Sequence, residues 1–97
     1  MSYNGWSNYE TWCVNLWLDN EPATNYDKRD IISRATEPYR AAKDLEAYVA
    51  EMMPDLGASM FADLLGAALS EVDWNEIVQS EWEELHEEEE ETEEEQP

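Results

Sequence analysis

Helical periodicity is the feature that most limits what this chain can fold into. Residues 38–53 read PYRAAKDLEAYVAEMM, and their apolar side chains recur every three or four positions while most charged ones fall on the other side. That spacing indicates an amphipathic helix with one face against a core. Similar runs recur along the chain, without alternating strand patterns or Asn-Gly hairpin signals between apolar runs. We therefore predict an all-α fold, a compact bundle of about five short helices.

Prolines and capping residues predict where these helices begin. Ser7 and Asp73 are each followed three positions later by a glutamate, which is capping-box spacing. Proline suits the first turn of a helix, where no backbone N–H is needed. The first helix should end near Asn20, ahead of Pro22. The predicted start residues of the five helices are Ser7, Thr24, Pro38, Ser59 and Asp73.

The apolar positions of these helices predict the core. The first helix carries large apolar side chains on two opposite sides, with Trp12 and Leu16 on one and Val14 and Leu18 on the other, so we expect it to pack on both. The fourth helix, MFADLLGAAL, is apolar around most of its circumference and should be the buried central helix. The predicted core residues are Trp12, Cys13, Leu16, Trp17, Leu45, Val49, Leu64, Leu65, Trp74 and Ile77.

Charge limits the partners of this protein. The chain has 25 acidic and 5 basic residues, a formal net charge of −20, and 11 of the acids lie in 81–97. Direct binding to nucleic acid or anionic membranes depends on Lys and Arg and is therefore unexpected. A dense negative field instead attracts basic protein surfaces, including nucleic-acid-binding ones. A salty host cytoplasm would also favour such acidic, lysine-poor surfaces.

The glutamate-rich C-terminus divides the chain into a helical domain, residues 1–85, and an acidic tail, residues 86–97. Mutual repulsion and the near absence of apolar side chains predict that the tail is disordered. Its glutamates, with those just before it, are the candidate partner-binding residues. They are Glu83, Glu84, Glu87, Glu88, Glu89, Glu90 and Glu91.

The residues that could carry chemistry favour a protein that is not an enzyme. Cys13 is the single cysteine, so no intramolecular disulfide is possible, and as a nucleophile it would need a nearby base. The single histidine, His86, lies in the tail, where one imidazole among glutamates does not make a fixed metal site. No phosphate-binding glycine loop or catalytic motif occurs. We predict no catalytic residues, no metal and no cofactor.

The five basic residues lie together, between Lys28 and Lys43. We interpret them as solvent-facing residues paired with neighbouring carboxylates such as Asp30. The alternative is a positive stripe that receives the glutamate tail or an acidic patch of a partner. The chain starts without the basic and apolar runs of a signal peptide and has no apolar segment of membrane-spanning length, so we expect a cytoplasmic protein.

Two blocks of the sequence resemble a known group of proteins. Residues 4–21, NGWSNYETWCVNLWLDNE, and residues 58–78, ASMFADLLGAALSEVDWNEIV, are similar in order and spacing to small uncharacterised proteins of phages, plasmids and prokaryotic genomes. The resemblance implies a helical fold and an association with mobile elements. It carries over no catalytic residue and no activity.

These observations lead to two hypotheses about function. The first is a non-enzymatic acidic interaction protein, encoded by a mobile element, that inhibits a partner by occupying its basic, nucleic-acid-binding surface through charge mimicry. The alternative is a small structural or assembly protein whose acidity serves solubility or a high-salt host. The sequence does not identify the partner or the oligomeric state, nor does it say whether the tail or the helical body carries the function.

Overall fold

Five helices make up the described part of the chain, and the all-α prediction is confirmed. The computed structural model describes residues 3–94, with side chains through residue 86, and contains no β-strand in that part of the chain. No helix within it is long and apolar enough to cross a membrane. The helices are α1 (Tyr9–Asn20), α2 (Pro22–Arg34), α3 (Pro38–Met52), α4 (Met60–Ser70) and α5 (Trp74–Glu94).

The helices α3, α4 and α5 start where the sequence predicts them, whereas α2 begins at Pro22, two residues before the predicted Thr24. Pro22 and Pro38 occupy the first turns of α2 and α3, where a proline's missing N–H breaks no hydrogen bond. The side chain of Ser59 accepts a hydrogen bond from the N–H of Ala62 at 3.1 Å and so caps α4. The side chain of Asp73 accepts a hydrogen bond from the N–H of Glu76 at 3.1 Å and so caps α5.

The start of α1 differs from the prediction. Its N-cap is Asn8, whose side-chain oxygen accepts from the N–H of Thr11 at 2.8 Å. Ser7, the predicted cap, instead donates from its hydroxyl to the Glu76 carboxylate at 2.7 Å. Asn and Ser are equally good N-caps. Here the hydroxyl of Ser7 is bound to Glu76, 69 positions along the chain, and Asn8 caps the helix instead.

A tight turn precedes α1. Asn4 and Gly5 have φ angles of 48° and 92°, and on either side of them Tyr3 and Trp6 exchange two backbone hydrogen bonds of 2.7 Å. Asn-Gly readily adopts such a turn, although no apolar strands flank it here. The turn folds Trp6 back against the core.

The core lies where α3 and α5 pack on each other and on α2. Leu45 and Ile77 have no exposed surface and Trp74 is buried, as predicted, and Val49 is half-buried against them. The buried apolar residues are Leu18, Ile32, Ala35, Ala41, Ala42, Leu45, Val72, Trp74, Ile77, Val78 and Leu85.

The prediction that α1 packs on both sides was wrong, and the core residues predicted on this helix lie on its outer side. Leu16 is exposed, Trp17 is 62% exposed, and Trp12 and Cys13 are only half-buried. The inward face carries Leu18 and the half-buried Val14, together with the fully buried Thr11. When a helix carries apolar residues on both sides, its sequence does not indicate which side is buried. The polar Thr11 made the buried side of α1 look like a surface.

The prediction that α4 is the buried central helix was also wrong. No residue of α4 is buried, Leu64 is 62% exposed, and Leu65 is half-buried. The helix leans on the bundle through one edge, where Leu69 packs against the core. A helix that is apolar around its circumference is fully buried only if neighbouring helices offer enough surface to cover it. The other helices of this small bundle do not offer enough surface to cover α4.

His86, the first residue of the predicted tail, contacts the helical domain. His86 Nε2 lies 2.9 Å from the carbonyl oxygen of Ile32, and its ring stacks on Trp82 with centroids 3.8 Å apart. His86, which belongs to α5, therefore packs against α2 and against Trp82 one turn earlier in its own helix. The rest of the predicted disordered tail, residues 87–97, lies outside the part of the chain whose side chains are described.

Candidate functional site

One of the five basic residues, Lys28, is buried inside the fold, Arg29 is half-buried, and the other three are exposed. Lys28 has no exposed surface, which overturns our interpretation of it as solvent-facing. Its ammonium group donates to Asn15 at 3.1 Å and to Asp19 at 2.5 Å, and it also pairs with Glu81. Three helices, α1, α2 and α5, thus meet on one cation. A buried ammonium needs such partners, because an unpaired charge away from water is strongly destabilising.

Two arginines of α2 are paired as well. Arg29 contacts Glu81 at 2.7 Å and Glu84 at 3.4 Å. Arg34 pairs with Asp30 at 3.0 Å, one helical turn away, as the sequence predicted for this region. Three of the five cations therefore neutralise carboxylates of the chain itself.

The predicted partner-binding glutamates divide into two groups. Glu83 is exposed, while the exposed Glu84 already contacts Arg29. The other five, Glu87, Glu88, Glu89, Glu90 and Glu91, lie along α5 outside the described side chains.

Further carboxylates occupy the surface of the helical body. Each of them is exposed, and none forms an ion pair with a described side chain. The paired cations already interact with other carboxylates and do not neutralise these exposed ones, so the surface is strongly negative. These residues are Glu21, Glu37, Asp44, Glu46, Glu51, Asp55, Asp63, Glu71 and Asp73.

A second polar cluster joins the start of α1 to the start of α5. The Asn8 amide donates to the carbonyl oxygen of Glu71 at 2.8 Å, and the buried hydroxyl of Thr11 accepts from the N–H of Asp73 at 2.8 Å. A groove of about 420 Å³ lies beside this junction, bordered by Tyr39 and Lys43. No cysteine or histidine lines the groove, so it lacks a thiol nucleophile and an imidazole base.

Cys13 and His86 have separate structural roles. Cys13 is half-buried beside Tyr9, and a hydrogen bond between their side chains is the main cause that raises the pKa of the Tyr9 phenol above 10.0. His86 contacts the Ile32 carbonyl and the Trp82 ring instead. Among the described residues, no group of three His, Cys, Asp or Glu side chains converges as metal ligands would.

Sequence reasoning missed the buried cation, although a signal for it exists. Lys28 precedes the buried Ile32 by one helical turn, and Glu81 follows the buried Ile77 by the same spacing. Two opposite charges at inward positions of two helices indicate a buried ion pair. Glu81 lies among the buried apolar residues of α5, such as Val78 and Leu85, and its pairing with Lys28 accounts for a carboxylate at this position.

Comparisons with known proteins place the chain in a family. The model of a family of unknown function, DUF7249, matches residues 1–95, and the chain belongs to this family. The comparisons with curated proteins and with solved structures found no match.

Proposed function

We propose that this DUF7249 protein is a non-enzymatic interaction protein that occupies a basic, nucleic-acid-binding surface of a partner protein. Carboxylates of the helical body and of α5 would stand where phosphates otherwise lie. We further propose that a phage or plasmid encodes it, as the resemblance of its two sequence blocks implies. On this proposal it serves as an inhibitor and acts in the cytoplasm.

The observation that carries this proposal is the pairing of Lys28 and Arg29 within the bundle. Both cations interact with Asp19, Glu81 or Glu84, so they do not compensate the exposed carboxylates of α3 and α4. A surface with so many unpaired negative charges attracts positively charged surfaces and orients them during encounter. Nucleic-acid-binding proteins carry such surfaces because phosphate contacts dominate their affinity.

Affinity capture from a host lysate tests the proposal. The immobilised full chain should recover basic nucleic-acid-binding proteins at about 0.05 M KCl and lose them at about 0.5 M, because salt screens exposed charges. Added duplex DNA should release them, since DNA and the protein would compete for one site. A captured set without basic proteins, or one that DNA does not displace, would contradict the proposal.

Two matched variants locate the charge that matters. One changes Glu46, Glu51 and Glu71 to Gln, and the other changes Glu87, Glu88 and Glu89 to Gln, so that each removes three charges from the full chain. Loss of capture by only one of them assigns the interaction to the body or to the tail. A protein that unfolds in low salt and refolds in molar KCl would instead support the structural alternative for a salty host.

A further inference from the structure

Helix α4 presents large apolar side chains that no other part of the described chain covers. Met60, Phe61 and Leu64 are 64%, 63% and 62% exposed. Met60 and Leu64 lie on the side of the helix away from Leu69, which packs on the core, and Phe61 lies in the first turn of α4, about a quarter turn around the helix from Leu69. We call these three residues the α4 face.

More apolar side chains are exposed in the segment of chain that precedes the α4 face. Met52 is the last residue of α3, and Met53 and Leu56 lie between α3 and α4. Single exposed apolar residues are ordinary on protein surfaces, whereas a group of neighbouring ones marks an interaction site.

The composition of this surface favours a helix as its ligand. Three of its six apolar side chains are methionines, which are unbranched and adapt to ligands of different shape. Methionine-rich apolar surfaces accept the apolar stripe of an amphipathic helix.

Charge around the α4 face selects the kind of helix. Exposed carboxylates of Glu51, Asp55 and Asp63 lie in the same segment, and no lysine or arginine occurs after Lys43. A second copy of this chain would place like charges against each other. A ligand with Lys and Arg beside its apolar stripe would pair with these carboxylates.

We propose that the α4 face is the docking site for a basic amphipathic helix of the partner protein. The apolar stripe of that helix packs on Met60, Phe61 and Leu64, and its cations lie near Glu51, Asp55 and Asp63. This inference rests on the proposed function and adds to it the surface and the structural class of the ligand.

A pair of synthetic peptides tests the docking site. Both contain leucine and lysine in about 18 residues, one with helical period and the other with the same residues in scrambled order. Fluorescence anisotropy with the full chain should show the periodic peptide binding about tenfold more tightly than the scrambled one, because only it presents a continuous apolar stripe.

Substitutions on the surface provide the matched control. Phe61→Ser and Leu64→Ser should each weaken binding of the periodic peptide about tenfold, whereas Tyr26→Ser, which alters an equally exposed ring on α2, should leave it unchanged. Photo-crosslinking of the periodic peptide to the unmodified protein gives a reading independent of any variant. The crosslinks should map to residues 52–64.

The possible failures are distinguishable. Equal binding of both peptides, insensitive to Phe61→Ser, with crosslinks elsewhere would overturn the docking site and leave the acidic interaction surface standing. Absence of binding by either peptide at low salt would overturn both. A wild-type dimer in sedimentation that Phe61→Ser dissociates would show that a second copy, not a basic helix, covers the α4 face.

Discussion

Helix α2 buries a lysine, whereas helix α4 leaves a phenylalanine in water. Lys28 is fully buried because α1 and α5 bring Asp19 and Glu81 to its ammonium group. Phe61 is exposed because α4 meets the bundle through Leu69, near its other end. The polar groups around Lys28 are satisfied within the chain, whereas no described part of the chain covers the apolar groups of α4. The buried lysine therefore contributes to stability, and for α4 we propose a role in recognition instead.

The largest effect should come from removing the buried cation. Lys28→Ala leaves Asp19 and Glu81 without their shared partner, and we expect a loss of about 3–5 kcal/mol in the free energy of unfolding. Urea denaturation measures it. The double variant Lys28→Met, Glu81→Leu should recover part of that loss, because two apolar side chains replace the buried ion pair. Recovery is incomplete because Asp19 loses its cation and Arg29 keeps only Glu84 as a partner.

Arg34→Ala is the control for this comparison. The Arg34 side chain is 78% exposed and pairs with Asp30, so its removal should cost less than about 1 kcal/mol. Equal losses for Lys28→Ala and Arg34→Ala would mean that the buried network contributes no more than an ordinary surface pair.

The junction between α1 and α5 should show the next largest effect. Thr11→Val keeps the side-chain shape but removes the oxygen that accepts from the N–H of Asp73, and leaving this group unsatisfied should cost about 1–3 kcal/mol. Faster amide exchange at Asp73 would locate the change. Thr36→Val, at an exposed position, should be nearly neutral, and the interpretation fails if the two variants match.

Local features of the sequence account for most of the fold. Pro22, Pro38, Ser59 and Asp73 each act on their own backbone or within one helical turn, so their effects could be predicted. The broad apolar stripe of α3 correctly indicated Leu45 as core because its other side is charged. These predictions needed no knowledge of distant residues.

Long-range polar contacts account for what could not be predicted. Thr11 bonds to Asp73 across 62 positions, and Lys28 meets Glu81 although the two are far apart in the chain. Both Thr11 and Lys28 look like surface residues until their partners are known. The α4 face was misjudged for a related reason: periodicity identifies an apolar side but not whether anything covers it.

Substitution of Tyr48 should have a smaller effect on the free energy of unfolding than substitution of Lys28 or Thr11, and this effect should depend on pH. Its hydroxyl donates to Asp27 at 2.8 Å, and burial, followed by this hydrogen bond, raises the pKa of Tyr48 to about 12. Tyr48→Phe should cost about 1 kcal/mol at neutral pH. Because the folded state holds the proton more tightly, the stability that Tyr48 contributes is complete below pH 10.0 and is lost as pH rises through about 12.

Comparison of the wild type with Tyr48→Phe isolates this contribution, because other groups titrate alike in both. The difference between their free energies of unfolding should shrink between pH 10.0 and about 12. A difference that stays constant across this interval would contradict the raised pKa.

The smallest effect on stability should come from α4. Leu64→Ala removes a side chain that is 62% exposed, and alanine favours the helix, so we expect a change within about 0.5 kcal/mol. Leu45→Ala makes the same chemical change where the side chain is fully buried, and should cost about 2–5 kcal/mol. Equal losses at the two positions would mean that α4 is covered in the free protein. If Leu64→Ala leaves the free energy of unfolding unchanged but weakens binding of the periodic peptide, Leu64 contributes to recognition and not to stability.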